Sequence, residues 1–154
     1  MRYIVNENGV IIDELQEGDR IVRSSSIKAL NGKERIVYKN FCILNISEYK
    51  AIMSEISGTA RSVLAQLIPY VQYSSCLLAF SNGKPINGKH LCGITGLSRN
   101  TVEKGILELV EKNVLYKRKN LRKVQYYINP YIVHRGQLVN RTLRSMFRNY
   151  RRRG

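Results

Sequence analysis

The chain has 154 residues, 44% of them hydrophobic and 24% charged, with 26 Lys/Arg against 11 Asp/Glu and a net charge of +15. That length suits one domain, or a small one with an appendage, and the apolar fraction is enough for a packed core. No run of about 18 apolar residues is present, so no spanning helix is expected, and so basic a balance points to a polyanionic partner.

The charge is unevenly placed. Residues 1–60 hold eight Lys/Arg and eight Asp/Glu, whereas residues 61–154 hold eighteen against three. The N-terminal part therefore reads as a neutral module, and the partner should meet the C-terminal part. The first residues, Met1-Arg2-Tyr3-Ile4-Val5-Asn6-Glu7, lack the apolar core of a signal peptide, so a cytoplasmic location is expected. Cys42, Cys76 and Cys92 are odd in number and lack metal-ligand spacing, and read as free thiols serving as small core residues.

In chain order, Tyr3-Ile4-Val5 and Val10-Ile11-Ile12 flank Asn8-Gly9, a two-residue hairpin signal. Short strands are expected at Arg20–Arg23, Ile36–Tyr38 and Phe41–Leu44, giving a small antiparallel module over residues 1–44. Ser47 is the expected N-cap of a helix carrying Tyr49, Ile52, Met53 and Ile56. Ser57-Gly58-Thr59 ends that helix and caps the next, whose stripe is Val63, Leu64, Leu67, Ile68 and Val71. Cys76–Phe80 reads as a strand, Ser81-Asn82-Gly83-Lys84 as a turn, and Asn87 as the cap of a short helix over residues 88–93. Gly96 occupies a tight turn and Ser98 caps a further helix, with Val102, Ile106, Leu109 and Val110 on its core face. Asn113 ends it. Two strands follow around a basic turn, Lys117–Lys123, and Asn129-Pro130 stops the second. From Leu138 to Tyr150 the apolar spacing predicts a helix with an arginine stripe, capped by Asn140, and the tail Arg151–Gly154 is expected to be disordered without a partner.

Helix, short helix, turn, helix, strand, basic turn, strand is the order of a winged helix-turn-helix. The predicted fold is α+β, with an N-terminal β module (1–44), a winged-helix domain (45–134) and a basic C-terminal helix and tail (135–154). In such a domain the helix over residues 98–112 enters the major groove and its first turn meets base edges. Arg99 can fork onto guanine, Asn100 onto adenine, and Ser98 and Thr101 suit a phosphate, with Lys104 beside them. Lys117, Arg118, Lys119, Asn120, Arg122 and Lys123 form the wing, five of them cations, and are expected on phosphates. Arg141, Arg144 and Arg148 add a second basic stripe, suited to backbone contact or to the exposed side of a dimer helix. A basic amphipathic helix also suits a membrane surface, but that leaves the helix-turn-helix and wing unexplained, so no membrane partner is expected.

Enzymatic signals are near-misses. Gly83–His90 resembles G-x-x-x-x-G-K-S/T, but His90 stands where a hydroxyl must ligate magnesium and Pro85 removes an N–H from the cradle. His90 and His134 are far apart, Tyr126-Tyr127 has no metal site beside it, and Glu103, Glu108 and Glu111 fit a helix surface. No catalytic residue, metal or cofactor is expected.

Ile94-Thr95-Gly96-Leu97-Ser98-Arg99-Asn100-Thr101-Val102 and Leu109-Val110-Glu111-Lys112-Asn113-Val114-Leu115 resemble the winged-helix pattern G-x-S-x-x-T-V … L-x-x-x-G-I/V-L. Tyr126–Ile132, with Gly136 after it, resembles the N-P-Y-I/L-x-x-x-G ending of Firmicute plasmid replication proteins of the RepL type and related phage replication proteins. The resemblance covers about residues 60–150. It departs at Asn113, where Gly is usual; Asn also tolerates the left-handed cap. It implies an initiator that binds double-stranded DNA at a replication origin and recruits host replication proteins. A winged-helix transcriptional regulator is the alternative and a small nucleic-acid enzyme the third reading, with homodimerisation expected to double the DNA site.

Overall fold

The structure is a computed structural model and describes residues 2–5, 11–15, 40–120 and 123–153. Two compact units divide the chain, residues 1–38 and 39–154.

In the first unit β1 (Arg2–Val5) pairs antiparallel with β2 (Ile11–Leu15). Arg2, Tyr3 and Ile4 face Leu15, Glu14 and Asp13, and the register shifts at Val5, which faces Ile11. Asn8 and Gly9 lie outside the described residues, as do the strands expected at Arg20–Arg23 and Ile36–Tyr38.

The second unit begins with β3 (Ile43–Leu44), paired antiparallel with β6 (Val133–His134). Residues expected to end the N-terminal module thus pair near the far end of this unit. Next come α1 (Ile46–Glu55) and α2 (Gly58–Leu67), then a 3-10 turn at Ile68–Tyr70. The cap of α1 is Asn45, not Ser47. Its side chain accepts the Glu48 N–H, while the Ser47 hydroxyl donates to the same oxygen at 3.3 Å. Ser57 caps α2 through the Ala60 N–H.

Cys76–Phe80 is not a continuous strand. Positive φ at Ser74 (63°) and Cys76 (53°) interrupts extended backbone, and single bridges remain, Leu77 with Tyr127, Leu78 with Val71 and Ala79 with Pro85. Gly83, at φ 80°, makes the turn expected there.

α3 (Gly88–Thr95), α4 (Arg99–Glu111), β4 (Leu115–Asn120), β5 (Lys123–Ile128) and α5 (Arg141–Met146) complete the unit. The core is shared by α1, α2, α3, α4, the hairpin and the C-terminal segment, with Ile52, Leu64, Leu67, Leu91, Leu109 and Phe147 all fully buried. The order α2, α3, turn, α4, β4, β5 is that of a winged helix-turn-helix.

The C-terminal helix is shorter than its apolar spacing predicts. Asn140 caps it as expected, but it ends at Met146, and Leu138 before it is 80% exposed. The tail after it is docked, not free. Glu48 is fully buried and accepts the Tyr150 hydroxyl at 2.5 Å and the Arg153 N–H at 2.6 Å, and the Arg153 guanidinium pairs with Glu55 at 2.9 Å. Burial first, and the Glu48 carboxylate second, push the Tyr150 hydroxyl well above the usual tyrosine range.

Candidate nucleic-acid interface

Local chemistry sets the two helices at their angle. Asn87 and His90 cap each other at the start of α3: the Asn87 side chain accepts the His90 N–H at 3.1 Å, and His90 Nδ1 accepts the Asn87 N–H at 3.2 Å. The would-be phosphate loop around Gly83–His90 is therefore a turn followed by a capping box. Gly96 ends α3 in the left-handed conformation at φ 65°, where its lack of a Cβ removes the strain. Ser98 caps α4, accepting the Thr101 N–H at 3.3 Å, with the two hydroxyls 2.7 Å apart. At the far end Asn113 takes φ 56°, the left-handed position expected of it.

α4 buries Val102, Gly105, Ile106 and Leu109. Gly105 lets it approach α2 closely, since a Cβ there would lie 3.1 Å from Val63 Cγ2. Glu108 reaches back to the start of α2, accepting the Ser57 N–H at 2.7 Å and the Ser57 hydroxyl at 2.6 Å. It is a positioning group, not the plain surface residue expected.

These contacts leave Asn100, Lys104, Leu107 and Glu111 exposed at helical spacing on the outward side of α4. Arg99 is exposed too and pairs with Glu103 at 2.8 Å. An exposed ion pair contributes little, so the guanidinium is easily released to another acceptor. Leu107, 59% exposed, went unnoticed in the sequence, where it sits one residue outside the apolar stripe.

The hairpin divides its cations between two faces, because side chains alternate along a strand. Lys117 pairs across from Tyr126 and Lys119 from Val124, and Lys117 and Tyr126 line a groove with Arg99 and Val102. Arg118 and Asn120 lie on the other face, opposite Gln125 and Lys123. Arg122 lies outside the described residues. Tyr126 is buried and Tyr127 half-buried, as strand alternation predicts.

The C-terminal segment meets the second face through Phe147. Phe147, just after α5, packs edge-on against Tyr116, ring centroids 6.1 Å apart. Arg141, Arg144 and Arg148 are exposed. Arg152 lies over the Tyr131 ring at 4.1 Å from its centroid, and Arg152, then Arg144, hold the Tyr131 hydroxyl below its ordinary pKa.

Among the described residues no group of three or more His, Cys, Asp or Glu could hold a metal, and no helix is long and apolar enough to cross a membrane. The cysteines are free thiols. Cys76 Sγ lies 3.2 Å from His134 Nδ1, and burial pushes the thiol up to about 11, so it stays protonated near neutral pH.

No protein-family model and no curated protein matches the chain. A solved structure, TubR bound to 24 bp of tubC from Bacillus thuringiensis serovar israelensis pBtoxis, is 19% identical. The likeness covers 56% of this chain and 82% of that one, at a TM-score of 0.36. A TM-score of that size decides neither fold nor function.

Proposed function

We propose that the chain is a sequence-specific double-stranded DNA-binding protein that inserts α4 into the major groove and lays the β4–β5 hairpin along the backbone. One observation carries this reading: the core face of α4 is fixed by Gly105 and Glu108, while Arg99, Asn100 and its outward line are left to solvent and Lys117 shares a groove with Arg99. A major groove about 12 Å wide accepts one such helix. Asn100 then suits adenine and Arg99 guanine, Glu103 suits the amino group of cytosine, and Leu107 suits the methyl of thymine. Ser98, Thr101 and Lys104 serve phosphates at the groove edge, and the hairpin cations supply salt-dependent affinity. Arg141, Arg144 and Arg148, all exposed, extend backbone contact.

A replication origin is the expected target, on the strength of the Asn129-Pro130-Tyr131 resemblance, with host replication proteins as partners. Homodimerisation would double the few base pairs that one helix reads. Regulation of transcription is the second reading, favoured by the separate, charge-neutral unit of residues 1–38, which suits a sensor or dimer module.

Selection from a random duplex library at about 0.15 M salt tests the proposal. Wild type should enrich one short motif, and Arg99→Ala should relax one or two positions of it with a loss of roughly 5- to 100-fold. Recovery of no motif, with binding that only fades smoothly as salt rises, would leave a non-specific polyanion binder and overturn specific recognition.

A further inference from the structure

A groove of about 780 Å³ lies between the first turn of α3, one flank of α4 and the root of the hairpin. Sites for small molecules are commonly about 300–1,000 Å³, mostly apolar, with a few polar groups that fix orientation. This groove has that composition. Leu91, Val102, Ile106 and Tyr126 form an apolar floor, and Leu107 stands at its rim. Three cations, Lys89, Arg99 and Lys117, face one carboxylate, Glu103, which Arg99 already engages. The start of α3, at Gly88 and Lys89, adds the partial positive charge of a helix N-terminus to the same groove.

Duplex DNA does not account for these features together. Its backbone offers sugar and phosphate, which gain nothing from an apolar floor, and the base edges assigned to Arg99, Asn100, Glu103 and Leu107 leave the floor of Leu91, Val102, Ile106 and Tyr126 without an occupant. An occupant with an apolar body and an anionic end matches both halves of the site. We infer that the groove binds a small amphipathic carboxylate, an aryl or short alkyl chain lying over Val102 and Ile106 with its carboxylate drawn to Lys89 and Lys117. Occupation covers Arg99 and Lys117, so such a ligand would weaken DNA binding; this consequence rests on the DNA-binding reading above, whereas ligand binding itself does not.

The test uses the full chain with methyl-resolved NMR, titrated with 4-phenylbutyrate and octanoate and, as matched controls, 4-phenylbutylamine and 4-phenylbutanol. The carboxylates should give saturable shifts at the methyls of Val102, Ile106 and Leu107, with the alcohol weaker and the amine without effect. Lys117→Glu and Lys89→Glu, both at exposed positions, should each weaken carboxylate binding at least tenfold with the remaining methyl spectrum unchanged. Shifts that do not saturate, that map elsewhere, or that the amine reproduces would overturn the site. A second arm measures affinity for the selected duplex with and without saturating 4-phenylbutyrate. A higher Kd supports competition, and an unchanged Kd with the methyl shifts intact overturns it. If no duplex binds specifically, the DNA reading has failed and the methyl titration still decides the groove.

Discussion

A single carboxylate on α4 does much to fix where that helix points. Glu108 accepts both the N–H and the hydroxyl of Ser57, and the Ser57 hydroxyl in turn accepts the Ala60 N–H at 3.2 Å. The start of α2 is thereby capped from a neighbouring helix, where the dipole also favours negative charge. The Ser57 hydroxyl first, and its N–H second, hold the Glu108 carboxyl below the usual carboxylate value. A lowered pKa in the folded state means that the unfolded chain takes up the proton first. The contribution to stability is therefore complete above about pH 4.5 and fades as pH falls through the lowered folded value. Glu108→Gln should be less stable than wild type at pH 7, and the gap should close as urea unfolding is repeated from pH 5 down to pH 3. A gap that stays constant over that range would show that the charge is not what holds Ser57.

At the scale of elements, the close approach of α2 and α4 sets how far α4 stands out from the core. Val63, the residue that a Cβ on Gly105 would meet at 3.1 Å, is fully buried and cannot swing away. Gly105→Val should cost about 1–3 kcal/mol by overpacking. Gly105→Ala should be near neutral, because about 1 kcal/mol of helix propensity offsets a shift of a few tenths of an ångström. Chemical denaturation of the two variants checks this, and a Val variant as stable as wild type would mean that the helices have room to part. The helix-turn-helix was legible in the sequence because its signals are local: Ser57, Asn87 and Ser98 cap the helices that follow them, and Gly96 and Asn113 take the left-handed positions. Gly105 was not legible, since a glycine inside a helix reads as a weakness until its neighbour is known. Asn45 displaced Ser47 because two polar residues in three can each cap, and only the docked backbone chooses. Cys76–Phe80 looked like a strand because its apolar run carries no trace of the positive φ at Ser74 and Cys76.

Across the whole molecule, the part of the reading that failed spans the greatest sequence distance. Charge alone made Arg151–Arg153 look like a free tail, yet Arg153 lies 105 positions from the Glu48 it meets. The buried carboxylate of α1 explains the docking. An anion removed from water must be matched by donors, and among those that reach Glu48 are the Tyr150 hydroxyl and the Arg153 N–H. The pairing of β3 with β6 ties the start of the second unit to the strand that precedes α5, and the tail adds a second tie, to α1. Two changes separate the backbone contribution from the side-chain one. Arg153→Ala keeps the N–H to Glu48 and loses the guanidinium's contacts, the partly exposed pair with Glu55, the hydrogen bond to the Tyr150 hydroxyl at 3.3 Å and its place over the Tyr150 ring, for about 1–2 kcal/mol. Truncation after Arg152 removes the N–H as well, and the loss of a hydrogen bond to a buried charged group adds about 1–3 kcal/mol. The truncated chain should therefore unfold at clearly lower denaturant than Arg153→Ala. Equal midpoints would mean that the Arg153 N–H adds nothing to holding Glu48.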